Sequence, residues 1–307
     1  MPSARLTFPL VPRRGVIGIS YGTMRSLRRG TGTDVAGSRP YRPGDDMDAI
    51  DWAASARLST ARGQDEFVVR ERFAEEAPRV VVVCDRRPGM SCFSAPLPWL
   101  DKPRAMRNTF QLILTSTAGA GGFVGYLDHA DGDVYWRPPQ LERKLMKLRN
   151  ERLESSDFRA PHDWLERALT HLAEHRRSAT AGTFVFVLSD FIPAPSDEVW
   201  FTAFEQRWDV VPIVLQDPTW EQSFPEVPGI VVPLRDSETG RVVPVRLTRR
   251  EVRARREANE ARLVDLIASF RALDIDPVLV SSDERAELLG SFLSWSELRR
   301  VRRVVGG

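Results

Sequence analysis

Two runs of consecutive β-branched and aromatic residues constrain this chain most. Arg79–Asp85 reads RVVVVCD, and Thr183–Leu188 reads TFVFVL, followed by Ser189 and Asp190. Neither run alternates apolar with polar residues, so neither suits a strand with one face in water. Continuous apolar runs of this length are strands buried on both faces, as in a parallel sheet covered by helices. The intervals agree. Residues 103–118 set Met106, Phe110, Ile113 and Leu114 at helical spacing. Phe123–Leu127 and Val134–Trp136 read as two strands turning at Asp131 and Gly132. Helices are expected at 139–150, 162–176 and 196–206, and a strand at 208–215.

The later chain keeps the rhythm after one interruption. Residues 217–247 are proline-rich and hold two Val-rich segments around Asp236–Gly240, which reads as an inserted hairpin. Thr248 and Glu251 form a T-x-x-E capping box for a long helix, whose apolar face is Leu263, Val264, Leu266, Ile267 and Phe270. A strand at 276–280 and a helix from about Asp283 follow. Ahead of all this, Arg13–Gly44 reads as loops and short strands, and Asp65–Phe73 as an extended strand. The architecture expected is α/β, a doubly wound, mostly parallel sheet with an irregular N-terminal extension and an inserted hairpin. In such sheets the ligand crevice lies beyond the carboxyl ends of the strands. Asp85 and Asp190 end two strands and are the first candidates for it.

Composition bounds the rest. At 307 residues the chain slightly exceeds one core, since single cores stop growing at roughly 250–300 residues. The division expected is an extension at 1–78 and an α/β domain at 79–307. With 44 basic and 42 acidic residues, the net charge of +2 gives no global drive toward nucleic acid or an anionic membrane. No apolar run approaches the roughly 18–20 residues of a membrane span, and the first residues lack the apolar stretch of a signal peptide. Cys84 and Cys92 make no C-x-x-C pair, and Cys84 reads as a small core residue. A cytoplasmic protein without an integral membrane segment is expected.

Residues 39–57, RPYRPGDDMDAIDWAASAR, carry a long and specific motif. They resemble the signature of a bacterial family, domain of unknown function fifty-eight, which reads approximately R-x-Y-x-x-G-D-D-x-R-x-I-D-W-x-x-(S/T)-A-R. Arg39, Tyr41, Gly44, Asp45, Asp46, Ile50, Asp51, Trp52, Ser55, Ala56 and Arg57 match, whereas Asp48 stands where the family usually has Arg. The segments VLSDF at 187–191, VVPIVLQDP at 210–218 and DSETG at 236–240 extend the resemblance toward the C-terminus. It implies a von Willebrand A-like fold. It also implies a non-catalytic, partner-binding role beside a MoxR-type AAA+ ATPase. Arg39, Tyr41, Gly44, Asp45, Asp46, Asp51, Trp52 and Arg57 are then the candidate binding residues, with Trp52 and Tyr41 as anchors. Trp52 has a plainer reading too, as a plug fixing the extension to the main domain.

Von Willebrand A domains often hold Mg²⁺ through D-x-S-x-S after the first strand. Here that segment is Asp85-Arg86-Arg87-Pro88-Gly89, with both serines lost, to Arg87 and Gly89. Two carboxylates sharing a crevice repel unless a cation compensates them. Arg87 is permanently charged and adjacent. The expectation is a degenerate metal site of Asp85, Arg87, Gly89 and Asp190, with the guanidinium in place of a metal. The plainer reading makes both carboxylates caps of the turns that follow them. No metal, cofactor or catalytic residue is expected.

Three other patterns bear on function. His171, Glu174 and His175 match H-x-x-E-H, which would suit a metal-dependent hydrolase. A sheet-covering helix with Leu165, Leu169 and Leu172 as its core stripe explains the same residues. Arg249, Arg250, Arg253, Arg255 and Arg256 would suit nucleic acid, but Glu251 precedes Arg255 by four and favours an ion-paired solvated face. Gly119–Gly125 misses the G-x-G-x-x-G pattern and reads as a helix stop.

Overall fold

In the computed structural model the described residues are 6–13, 24–41, 47, 50–63, 67–92, 100–141, 152–235 and 241–305. The first elements are β1 (Met24–Pro40), α1 (Trp52–Arg62) and β2 (Val68–Glu76), with β1 and β2 pairing antiparallel as a separate ribbon. Within the stretch Arg13–Gly44, expected to be loops and short strands, the described Met24–Pro40 are instead one 17-residue strand. Its register slips at three places, between Arg25 and Arg29, Gly30 and Val35, and Val35 and Gly37. Such bulges break the period-two pattern by which a strand is recognised.

The main sheet is built from β3 (Arg79–Cys84), β4 (Phe123–Asp128), β5 (Tyr135–Gln140), β6 (Phe184–Ser189), β7 (Asp209–Leu215) and β10 (Val278–Val280). Their order is β10-β7-β6-β3-β4-β5. All neighbours are parallel except β4 and β5, which form the expected hairpin. The α/β, mostly parallel, doubly wound sheet is therefore as anticipated. β5 runs on through Pro138 and Pro139 to Gln140, where a helix was expected to begin. An edge strand tolerates prolines because its outer N–H groups have no ladder to donate to. The rest of that expected helix, 142–150, lies outside the described residues, as does Asp236–Gly240.

Two apolar layers cover the sheet. One holds Val80, Val82, Cys84, Phe184 and Phe186 against Met106, Phe110 and Ile113 of α2 (Lys102–Gly119) and Phe292 of α6 (Arg285–Val305). The other holds Val81, Val83, Val185 and Val187 against Leu165, Leu169 and Leu172 of α3 (Trp164–Glu174) and Leu266 and Phe270 of α5 (Arg249–Ala272). Alternate residues of β3 thus enter opposite cores, which is why its sequence is apolar throughout. The helix expected at 196–206 is a 3-10 turn, Asp197–Trp200, running into a short α4, Phe201–Glu205. β8 (Val231–Arg235) and β9 (Val242–Arg246) form the inserted hairpin. α5 opens on the full capping box of Thr248 and Glu251.

Phe8 belongs to the first of these cores, with its ring 4.4 Å from that of Phe292 and 6.5 Å from that of Phe186. The Arg299 guanidinium donates to the Val11 carbonyl and pairs with Asp209 and Asp276. Phe8 and Leu10 are therefore part of the main core, although they precede the ribbon in sequence.

Candidate functional site

The sheet order places the switch point between β3 and β6. β3 continues to β4 on one side, while β6 continues to β7 on the other. Asp85 follows β3 and Asp190 follows β6, so both carboxylates stand at the mouth of that switch point. Both are buried, at 0% and 4% exposure.

Arg87 joins them. Its Nε lies 3.1 Å from each carboxylate oxygen of Asp85, its Nη2 lies 2.6 Å from Oδ2 of Asp85, and the same Nη2 reaches Oδ1 of Asp190 at 3.2 Å. Its Nη1 donates to the Ile192 carbonyl. A planar guanidinium matches a carboxylate fork in this way, which an ammonium cannot. Ser189 Oγ donates to Oδ2 of Asp85 at 2.7 Å. The ring of Trp164, first residue of α3, lies 5.9 Å from the Arg87 guanidinium carbon. Asp85 accepts from the backbone N–H of Arg87 and Asp190 from that of Ile192, so each also caps its own turn. Gly89 sits in the 3-10 turn Pro88–Ser91, behind Arg87 in the chain.

A second cation was not anticipated. Lys102 begins α2, after the Asp101 cap and before Pro103, two strong start signals. Its Nζ is buried and lies 2.8 Å from Oδ2 of Asp190, and it also pairs with Glu221. The Glu221 carboxylate in turn accepts from the Asp217 N–H at 2.9 Å. Arg262, from α5, donates to the Glu221 carbonyl. Asp85, Arg87, Asp190, Lys102 and Glu221 therefore form one continuous series of ion pairs across the ends of β3, β6 and β7. One signal for Lys102 was present in the sequence: it is one of only three lysines beside 41 arginines, since 44 − 3 = 41. Glu221 carried none, because its partner lies 119 residues away.

Burial divides these carboxyls. It opposes ionisation of Asp190, but Lys102 and Arg87 outweigh it and hold that carboxyl below the usual range. At Asp85 burial prevails over Arg87 and pushes the carboxyl up. At Glu221 burial likewise prevails over Lys102. Lys102 itself is held above its usual range, because Asp190 and Glu221 outweigh the cost of burying an ammonium. The turn between these groups is tight. Phe191, next to Asp190, has a left-handed φ of 52°, and its buried ring packs edge-on against Phe270 at 5.3 Å.

The motif residues divide between described and undescribed positions. Gly44, Asp45, Asp46 and Asp48 lie outside the described residues. Arg39 pairs with Val69 through the backbone of the β1–β2 ribbon. Asp51 caps α1, with its carboxylate accepting from the Ala54 N–H at 3.1 Å. Arg57 Nε donates back to the Ala53 carbonyl. Trp52 is 59% exposed and Phe67 45% exposed, with ring centroids 5.9 Å apart and edge to face. Tyr41, half-buried, also meets Phe67 edge to face, with ring centroids 6.5 Å apart. An exposed Trp52 does not plug the ribbon onto the domain.

The remaining patterns resolve simply. His171, Glu174 and His175 come together at the end of α3, with ligand atoms within 4.8 Å of one another. Glu251 is taken up by the Thr248 cap instead of pairing with Arg255, whose guanidinium lies over the Phe224 ring at 5.3 Å. Gly119–Gly125 ends α2 as expected, with Gly121 at a positive φ of 69°.

These features define a doubly wound α/β protein whose switch-point crevice is filled by its own cations. The chain belongs to the family described as "Protein of unknown function DUF58", whose model matches residues 37–263. Uncharacterized protein Rv1480 of Mycobacterium tuberculosis is similar, 24% identical over 240 residues that span 78% of this chain and 72% of that protein. Among solved structures, the conserved hypothetical protein BatB from Bacteroides thetaiotaomicron aligns with a TM-score of 0.43 and 16% identity, over 72% of this chain and 99% of that one. An aerotolerance-related membrane protein from Bacteroides fragilis aligns over the same shares, with a TM-score of 0.42 and 13% identity. No helix among the described residues is long and apolar enough to cross a membrane.

Proposed function

We propose that this chain is a non-catalytic protein-binding or assembly factor whose crevice is a degenerate, metal-free form of a von Willebrand A-type metal site. The observation that carries this reading is the continuous series of ion pairs. Asp85, Asp190 and Glu221 each already face a cation: Arg87 for Asp85, Arg87 and Lys102 for Asp190, and Lys102 for Glu221. A hard divalent cation wants an octahedron of oxygens, and would have to displace both the fork of Arg87 and the ammonium of Lys102. With no ion to share with a partner's carboxylate, recognition passes to another surface.

The motif supplies one. Trp52, Phe67 and Tyr41 make an aromatic patch near the start of α1, partly exposed and packed edge to face. Exposed aromatic anchors of this kind carry a large share of binding energy in protein interfaces. Family resemblance points to a MoxR-type AAA+ ATPase as the partner. The test is affinity capture of the tagged full chain from its native cell extract with mild crosslinking, beside a Trp52→Ala variant. Trp52 buries little, so the variant is expected to unfold within about 0.5 kcal/mol of wild type. Enrichment of an AAA+ ATPase with wild type and its loss with Trp52→Ala supports the reading. Equal enrichment with both moves the docking face away from the patch, and absence of any such ATPase rejects the partner.

A further inference from the structure

We infer that His171, Glu174 and His175 form a binding site for one divalent transition-metal ion, with zinc the best fit. The site lies at the C-terminal end of α3, while the crevice meets the N-terminal end through Trp164. Eleven residues of helix at about 1.5 Å each separate them by roughly 16 Å, so this inference does not rest on the proposed function.

Helical spacing alone brings His171 and His175 onto one face. The end of the helix then adds what spacing does not. His175 is the C-cap, with φ −99° and ψ 41°, and its ring folds back over that of His171 at 4.1 Å and 29°. The two imidazoles and the Glu174 carboxylate thus converge, with one ligand atom from each within 4.8 Å of the others. Tetrahedral zinc with bonds near 2.0–2.1 Å sets its ligands about 3.4 Å apart, so closing on the ion needs side-chain rotation of about 1 Å.

Two further observations point to a ligand. His175 Nδ1 lies 2.8 Å from the His171 carbonyl, and a carbonyl only accepts, so Nδ1 carries the proton. That fixes the tautomer and leaves Nε2 with a free lone pair, the way a metal-binding histidine is held by its outer partner. His171 Nε2 is shielded from solvent and has no hydrogen-bond partner among the described residues. An ion held at the ring edges, in line with the nitrogen lone pairs, would supply one. Trp136 buttresses both, with ring centroids 6.0 Å from His171 and 6.3 Å from His175.

The donor set selects the ion. Two imidazoles and one carboxylate suit zinc, nickel, cobalt or copper, and not magnesium or calcium, which need more oxygens. The same set argues for binding and against hydrolysis. Glu174 can serve as third ligand or as general base, not as both, and no further His, Cys, Asp or Glu joins the group among the described residues. Three protein ligands leave a coordination position for water or for a side chain of another molecule.

The test is titration of the full chain, freed of any polyhistidine tag, with Zn²⁺ by calorimetry. Imidazole ¹⁵N spectra of the same samples report which nitrogens bind. The structure predicts one Zn²⁺ per chain, with shifts at His171 and His175. His171→Asn and His175→Asn each weaken binding by at least about tenfold. His162→Asn, two residues ahead of α3, leaves it unchanged. Equal thermal melting of all variants without metal separates lost ligands from lost fold. Binding that is absent, or that survives both His171→Asn and His175→Asn, overturns the inference.

Discussion

Lys102 carries a full charge into a place that disfavours it twice, by burial and by lying at the positive end of a helix. It persists because Asp190 and Glu221 need it more than water does. Replacing it with methionine leaves two buried carboxylates without their shared cation, and breaking a buried pair in this way costs about 3–5 kcal/mol. The expected result for Lys102→Met is a melting temperature lower by on the order of 10 °C in a chain of this size. His129 makes the opposite point, since burial holds this imidazole below its usual range. The unfolded chain therefore takes up a proton near pH 6.5 that the folded chain refuses, and stability falls as pH drops through about that value. A pH series of melting temperatures should show this fall lessened in His129→Gln. At this scale the sequence was half legible. Asp85 and Asp190 were visible because each ends an apolar run. The contacts of Lys102 and Glu221 were hidden because they span 88 and 119 residues, and the rarity of lysine marks Lys102 without showing its partners.

The elements divide in the same way. β3, β6 and β7 are buried on both faces, and burial writes itself into sequence as unbroken apolar runs. α2 and α3 were equally plain from their core stripes, and Thr248 with Glu251 announced the start of α5. What escaped was structure held by backbone alone. β1 is long but irregular, and β5 crosses two prolines as an edge strand. One glycine records a close approach that composition does not reveal. A Cβ on Gly122, between α2 and β4, would meet the Pro78 carbonyl oxygen at 2.5 Å and Thr117 Cγ2 at 2.7 Å. Gly122 N–H also donates to the Thr117 carbonyl, so the backbone has little room to retreat. Gly122→Ala is expected to destabilise by about 1–3 kcal/mol through overpacking, measured by urea unfolding. A value near zero would mean that the α2–β4 turn moves freely.

At the scale of the whole molecule, the doubly wound sheet brings three strand ends to one crevice, and the chain fills that crevice from two further elements. The turn after β3 delivers Arg87, and the first turn of α2 delivers Lys102. In the proposed reading the crevice is a structural junction, and the aromatic patch of Tyr41, Trp52 and Phe67 is the docking face. The fold class followed from strand and helix order, whereas the ion pairs that fill the crevice depend on contacts across the chain. The direct test is thermal melting of the wild-type chain with and without millimolar Mg²⁺, an ion that an imidazole site does not favour. A crevice filled by its own cations leaves the melting temperature within about 1 °C. A metal present at a hundred times its Kd adds about 2.7 kcal/mol, or roughly 5–10 °C in a domain of this size. A rise of that size, lost in Asp85→Ala, would contradict the metal-free crevice and return this protein to the metal-dependent class.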